Sequence, residues 1–279
     1  MHPTPNTQGY EVLDVVATAP KARAAYSRQM RVLSGLLLWG LFGCGAVAGL
    51  LLGVLVIFWV SLARGARAVH ADGVVCRAEL VARDGVVGPR LAGPAIARLS
   101  GAFDPQNTTA KDVLGIELRL RRPDEAASLD ARVGEQDLPL GTFESFATAS
   151  RDKERTDAGD YLENRYSSVT PWWVPEVGPV VFHLTAPSAR PADRGADRLA
   201  RLDADLASDQ ARLVMSMHVN GASTEVAELR LVERLAIDGR DLRVSMFRQG
   251  RAIRPVGFRN GIRATVYPIS QLARRLRGG

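Results

Sequence analysis

From Val32 to Ala63 the chain reads VLSGLLLWGLFGCGAVAGLLLGVLVIFWVSLA, without one charged side chain. A helix needs about 20 apolar residues to cross the hydrocarbon core of a bilayer, so this run is long enough for one tilted span and too short for two. The apolar part of a cleaved signal peptide is only about 7–15 residues long. The sequence therefore predicts a retained single-pass transmembrane helix over residues 32–63, preceded by a disordered basic leader at 1–31 and followed by one domain at 64–279. Trp39 and Trp59 stand towards the two ends of the run, where indole rings favour the membrane interface.

Lys21, Arg23, Arg28 and Arg31 precede the run, and Arg64, Arg67 and Arg77 follow it. This bias leans towards a cytoplasmic N-terminus, in what reads as a bacterial inner-membrane protein. Gly45, Gly49 and Gly53 recur at every fourth position and give the helix a smooth strip, through which two copies are expected to pair as a homodimer. The formal charge of +6 comes from arginines spread along the chain rather than from one basic stripe with interleaved aromatics, which argues against nucleic-acid binding. Cys44 lies in the apolar run and Cys76 in a predicted strand, so neither a disulfide framework nor a cysteine metal site is encoded.

After the run, the pattern changes to strict alternation. In GVVCRAELVAR, Cys76, Ala78 and Leu80 face away from Arg77 and Glu79; in IELRLRR, Ile116, Leu118 and Leu120 oppose Glu117, Arg119 and Arg121. The segments 180–184, 213–219, 227–234 and 241–247 behave alike and predict half-buried antiparallel strands. So many alternating strands favour a sheet that closes on itself. Leu199, Leu202 and Leu206 are spaced for one face of a packed helix, and residues 186–197 look like a flexible connection. The expected fold is α+β and β-rich. His183 and His218 sit in alternating strands and read as surface residues, and Trp172-Trp173 as loop aromatics folded onto the domain. No nucleophile elbow, phosphate-binding loop, dinucleotide fingerprint or metal-ligand spacing occurs.

Two segments carry a resemblance. RAVHADGVV, from Arg67 to Val75, resembles the distal-histidine motif of haem catalases, and RATVYPISQ, from Arg263 to Gln271, resembles their proximal tyrosine motif. Between them, in the same order, PAIARLSGAF, DVLGIEL, QDLPLGTF and FRQGRAIRPVGF are similar to further catalase segments. The chain is similar in size to the short, catalase-related peroxidases. The resemblance implies a catalase-like antiparallel β-barrel with packed helices that binds haem b. It implies Tyr267 as the proximal iron ligand and His70 as the distal acid/base, with Arg67, Val74, Arg98 and Arg263 around the cofactor. The chemistry is coherent. A phenol titrates near pH 10, so a tyrosinate on iron needs a cation nearby, and Arg263 lies one helical turn before Tyr267. Histidine suits proton transfer to and from peroxide at neutral pH.

The motif also departs from the family. Where catalases carry a distal asparagine, DLPLGTFESF offers Thr142, so peroxidation of hydrogen peroxide or of organic (lipid) hydroperoxides is expected rather than full dismutation. Two other readings stay open: a catalase-like module that binds haem or a lipid without turnover, and a membrane-tethered interaction module.

Overall fold

The computed structural model describes residues 19–64, 70–102, 111–121, 132–145 and 148–277. The apolar run is continuously helical: α1 (Ala19–Leu52) passes through a π-helical turn at Gly53–Ile57 into α2 (Phe58–Arg64). Residues Val32–Arg64, with a mean hydropathy of 2.6 over an 18-residue window, form one helix long and apolar enough to cross a membrane. Most of its surface is exposed and apolar, with Leu36, Leu37, Val47, Leu51, Leu55 and Trp59 all open.

The alternating segments pair into an antiparallel barrel. Its strands are β1 (Val74–Ala82), β2 (Gly93–Gly101), β3 (Leu114–Leu120), β4 (Gln136–Gly141), β5 (Tyr166–Ser167), β7 (Gly178–Thr185), β8 (Arg212–Val219) and β9 (Ala222–Arg234). They run in the spatial order β7-β5-β4-β3-β2-β1-β9-β8, and pairing of β7 with β8 closes the ring. β6 (Trp172–Val174) and β10 (Arg254–Pro255) extend the sheet beyond β7. The short helices α3 (Gly88–Leu91) and α4 (Ala149–Asp152) lie in the connections. Closure leaves no long unpaired edge. Inward-facing Cys76, Leu80, Leu99, Ile116, Leu118, Leu140, Phe182 and Leu229 belong to one buried core, as the period-two reading requires. The thiol of Cys76 is pushed up to about 12 by burial, so it packs as an inert apolar group.

Helix α5 (Arg198–Ala207) forms where the leucine spacing predicts it. Asp197 caps its N-terminus by accepting from the N–H groups of Leu199 and Ala200. Its buried face differs from the expected one: Arg198, Leu202 and Asp205 are covered, whereas Leu199 is open. The segment before it is not a slack linker, because Arg194 pairs with Asp160 and Asp205 while Arg190 donates to the carbonyls of Leu162 and Arg212.

Residues 241–247 form no strand, although Leu242, Val244 and Met246 are buried in the predicted alternation. The segment is stretched over the outside of the barrel, and side chains satisfy its backbone. Arg119 Nη2 donates to the Arg243 carbonyl at 2.5 Å, Gln271 Nε2 donates to the Val244 carbonyl at 2.9 Å, and the Ser245 N–H donates to Asp137 at 2.8 Å. Alternation reports which side chains are buried, not what the backbone pairs with. Beneath this strap lies a buried ionic group. Arg119 contacts Asp137 at 3.1 Å, Arg121 contacts Glu135 at 3.3 Å, and Arg248 pairs with both carboxylates. Burial pushes the Asp137 carboxyl up, against the pull of Arg119 and Arg248.

Helix α6 (Phe258–Leu276) lies between the barrel and the apolar helix. Gly45, Gly49 and Gly53 do form a strip, and it is filled within the chain. A Cβ at Gly45 would strike the carbonyl of Phe258, one at Gly49 would strike Ile262 and Thr265, and one at Gly53 would strike Ile269. The surface expected to pair two copies therefore seats α6.

Replacing Arg248 by methionine should destabilise the protein by about 3–5 kcal/mol, because it removes one partner from a buried charge group. Arg77→Met, at a half-exposed pair with Glu233, should cost under about 1 kcal/mol. Denaturant titrations of the two variants check the contrast.

Candidate functional site

A cavity of about 240 Å³ lies between the outer face of the barrel and α6. His70, Ser100, Gly115, Glu117 and the stretch Pro139–Gly141 line it on the barrel side; Ile262, Arg263, Val266 and Tyr267 line it from α6, and Leu52 and Phe143 complete it. Strand alternation explains the barrel wall. With Leu99, Ile116 and Leu140 pointing into the core, Ser100, Gly115 and Gly141 fall on the outer surface.

His70 is held from four directions. Its backbone takes φ +55°, in the left-handed region, where non-glycine residues are uncommon and histidine is among the better tolerated. Its N–H donates to the Ala102 carbonyl at 2.9 Å, and its own carbonyl accepts from Arg98 Nη2 at 2.7 Å. Nδ1 of the ring lies 3.0 Å from Ser100 Oγ. The ring rests on Gly115, where a Cβ would come within 2.8 Å of Cε1. Backbone in this region costs about 1–2 kcal/mol for an L-residue and persists because these contacts over-determine it.

Tyr267 lies on α6 directly before Pro268, packs against the core with its apolar body, and lines the cavity. Its hydroxyl meets no hydrogen-bond partner among the described residues. Arg263 lines the same cavity one turn earlier, and its Nη1 donates to the Ser168 carbonyl and Thr170 Oγ1, each at 3.3 Å.

The remaining predicted residues fall elsewhere. Arg98 is fully buried, and its guanidinium holds the carbonyls of Gly239 and His70 and the carboxylate of Glu117. It buttresses the backbone of His70 instead of facing the cavity. Thr142 does not reach the cavity either: its hydroxyl accepts from the Leu114 N–H at 3.0 Å and from Thr156 Oγ1 at 2.9 Å, tying the ends of β3 and β4 together, and Gly141 takes the wall position. Val74 packs on the barrel core. Arg67 lies outside the described residues. Ser100, Gly115 and Phe143 are among the cavity residues that the sequence reading missed; the signal available for Ser100 was its place two residues beyond Arg98 on one strand face.

Haem is the group that the resemblance brings to this cavity. The donor types suit it: a phenol without a hydrogen-bond partner among the described residues stands on α6, and an imidazole fixed by a serine stands on the barrel wall. The volume is below the roughly 300–1,000 Å³ of sites that enclose drug-sized ligands, so a bound macrocycle requires the wall made by α6 and Leu52 to move outward. Among the described residues no group of three His, Cys, Asp or Glu side chains is placed to hold a metal ion, and a tyrosinate-ligated haem needs none. No known family and no curated protein matches the chain in sequence.

His183 and His218, read from the sequence as surface residues, form a pair at the β7–β8 junction with ring centroids 4.2 Å apart. His183 is only 4% exposed and accepts from Arg165 Nε at 3.2 Å. Burial, Arg165 and His218 push it down to about 4, and burial and Arg165 also lower His218, against the pull of Glu144. The unfolded chain thus binds protons that the folded pair refuses. Stability contributed by the neutral pair is complete above pH about 6.5 and falls by up to about 3 kcal/mol as the pH drops to about 4. Denaturant midpoints measured between pH 4 and 7 should show this fall, and His183→Gln should flatten it.

Proposed function

We propose that the chain is a membrane-associated, haem-dependent peroxidase of the catalase-related kind, with the cavity between His70 and Tyr267 as its cofactor site. One observation carries the reading: His70, Arg263 and Tyr267, chosen from motifs nearly two hundred residues apart in the chain, line one cavity, with Ser100 on the imidazole.

Haem, when bound, supplies a ferric iron at which a peroxide O–O bond can be cleaved. Tyr267 would hold that iron through its phenolate oxygen, with Arg263 one turn away on the same wall. His70, oriented through Nδ1 by Ser100, would accept a proton from a bound peroxide and return it to the departing oxygen. Phe143 and Val266 give the cavity an apolar lining beside these polar groups. A second reading, a binding module for an apolar ligand without turnover, is favoured by the modest volume and by Leu52, Ile262 and Val266 in the wall.

The test is an absorption spectrum of the full chain in nanodiscs with haem supplied. The enzyme reading expects a high-spin ferric Soret band that Tyr267→Phe abolishes or shifts while the far-ultraviolet circular dichroism is kept. His70→Ala should retain the band and lose about 10²–10⁴-fold in peroxide turnover. Folded protein without a Soret band, or an unchanged band in Tyr267→Phe, rejects the site; a normal band without peroxide turnover selects the binding module.

A further inference from the structure

The apolar helix is long enough to cross a bilayer, yet the folded domain accompanies it along its length. Trp173 packs on Gly35, and the N–H of Gly257 donates to the Leu38 carbonyl at 3.0 Å. Further along, Ser61 Oγ lies 2.7 Å from Ser270 Oγ, and Arg277 donates to the Leu62 carbonyl at 2.7 Å. From Leu38 to Leu62 the helix runs about 36 Å at 1.5 Å per residue. The hydrocarbon core is about 30 Å thick. An upright helix would therefore draw α6, the barrel rim and several arginines of α6 through hydrocarbon, where charged groups and irregular backbone are not tolerated facing lipid.

We infer that the helix lies in the plane of the membrane surface, with the outer edge of α6 beside it, and that the chain is a monotopic membrane protein. The exposed surface fits this placement. The buried positions Gly35, Gly45, Gly49, Gly53 and Ser61 follow one stripe flanked by half-buried residues, and most of the remaining surface of the apolar run is open and apolar. On α6, Phe258, Leu272 and Leu276 are 42%, 51% and 66% exposed and extend that apolar surface past the helix. Phe258 and Leu276, eighteen residues apart, fall on the same line of a helix with 3.6 residues per turn. Exposed Arg275 and Arg277 flank the line, at the depth where lipid headgroups would lie. Leu52 is both 42% exposed and part of the cavity wall, so one side of the cavity is in contact with the lipid. The inference does not depend on what the cavity binds.

The test uses the full chain in a Cys44→Ala background, in sealed vesicles from the expressing cell. Single cysteines are introduced by Thr7→Cys ahead of the helix and by Ala222→Cys on the exposed β8–β9 hairpin, and a membrane-impermeant maleimide is added. In-plane placement expects both to react in the same vesicle orientation; reaction in opposite orientations shows a crossing and overturns the inference. Spin labels at Leu36, Val47, Leu55 and Leu272 give a second measurement. Similar shallow depths support the proposal, whereas a profile deepest at the middle of the helix overturns it. Release of the chain into the aqueous phase as a dimer would also overturn it, by assigning the apolar surface to a second copy.

Discussion

The packing of α6 into the small-residue stripe of the apolar helix is the contact on which the site depends. Glycine at 45, 49 and 53 lets the two backbones approach more closely than any side chain would permit, and that approach fixes α6 against the barrel. The cavity is the space left between α6 and the outer strands. Its α6 wall carries Tyr267 and Arg263, and its far end is closed by Leu52 from the apolar helix itself. The helix is thus a structural part of the site as well as a membrane element, and removing it would open the cavity.

The opposite wall is rigid for a different reason. Antiparallel pairing fixes which residues of β2, β3 and β4 face outward, and the glycines at 115 and 141 keep that wall low enough for an imidazole and a phenyl ring to lie on it. His70 occupies an unfavourable backbone region, held there by Arg98, Ala102, Ser100 and Gly115. A strained residue fixed by four partners and facing a cavity is the arrangement expected where orientation matters to chemistry.

How much of this the sequence disclosed depended on the interaction concerned. Period-two alternation located five of the eight barrel strands wholly or in part, since inward packing imposes that period; β2 and β4 were not read as strands, and the two-residue β5 was too short to show it. The same alternation misled at 241–247, where burial follows it but arginine, glutamine and carboxylate side chains replace a partner strand. His70, Arg263 and Tyr267, picked out by local motifs, line one cavity. Arg98 and Thr142 do not, because the destination of a guanidinium or hydroxyl depends on loops far away in the chain, here Gly239 and Thr156. The glycine stripe was read as a close-packing surface for a second copy, and within the chain it seats α6, since a stripe specifies how near a helix may come and not which one.

The arginine-rich composition follows from the same architecture. A guanidinium offers five donors in a planar fork and stays charged when buried, so one residue can bridge a carboxylate and a backbone carbonyl at once. Arg119 spans Asp137 and the Arg243 carbonyl, Arg98 spans Glu117 and the carbonyls of Gly239 and His70, and Arg190 spans Glu163 and the carbonyls of Leu162 and Arg212. Except for Arg212, which opens β8, these carbonyls belong to segments wrapped over the barrel or leading into it. Part of the positive charge is therefore placed in the interior joints of the fold, while the apolar helix and the edge of α6 stay open.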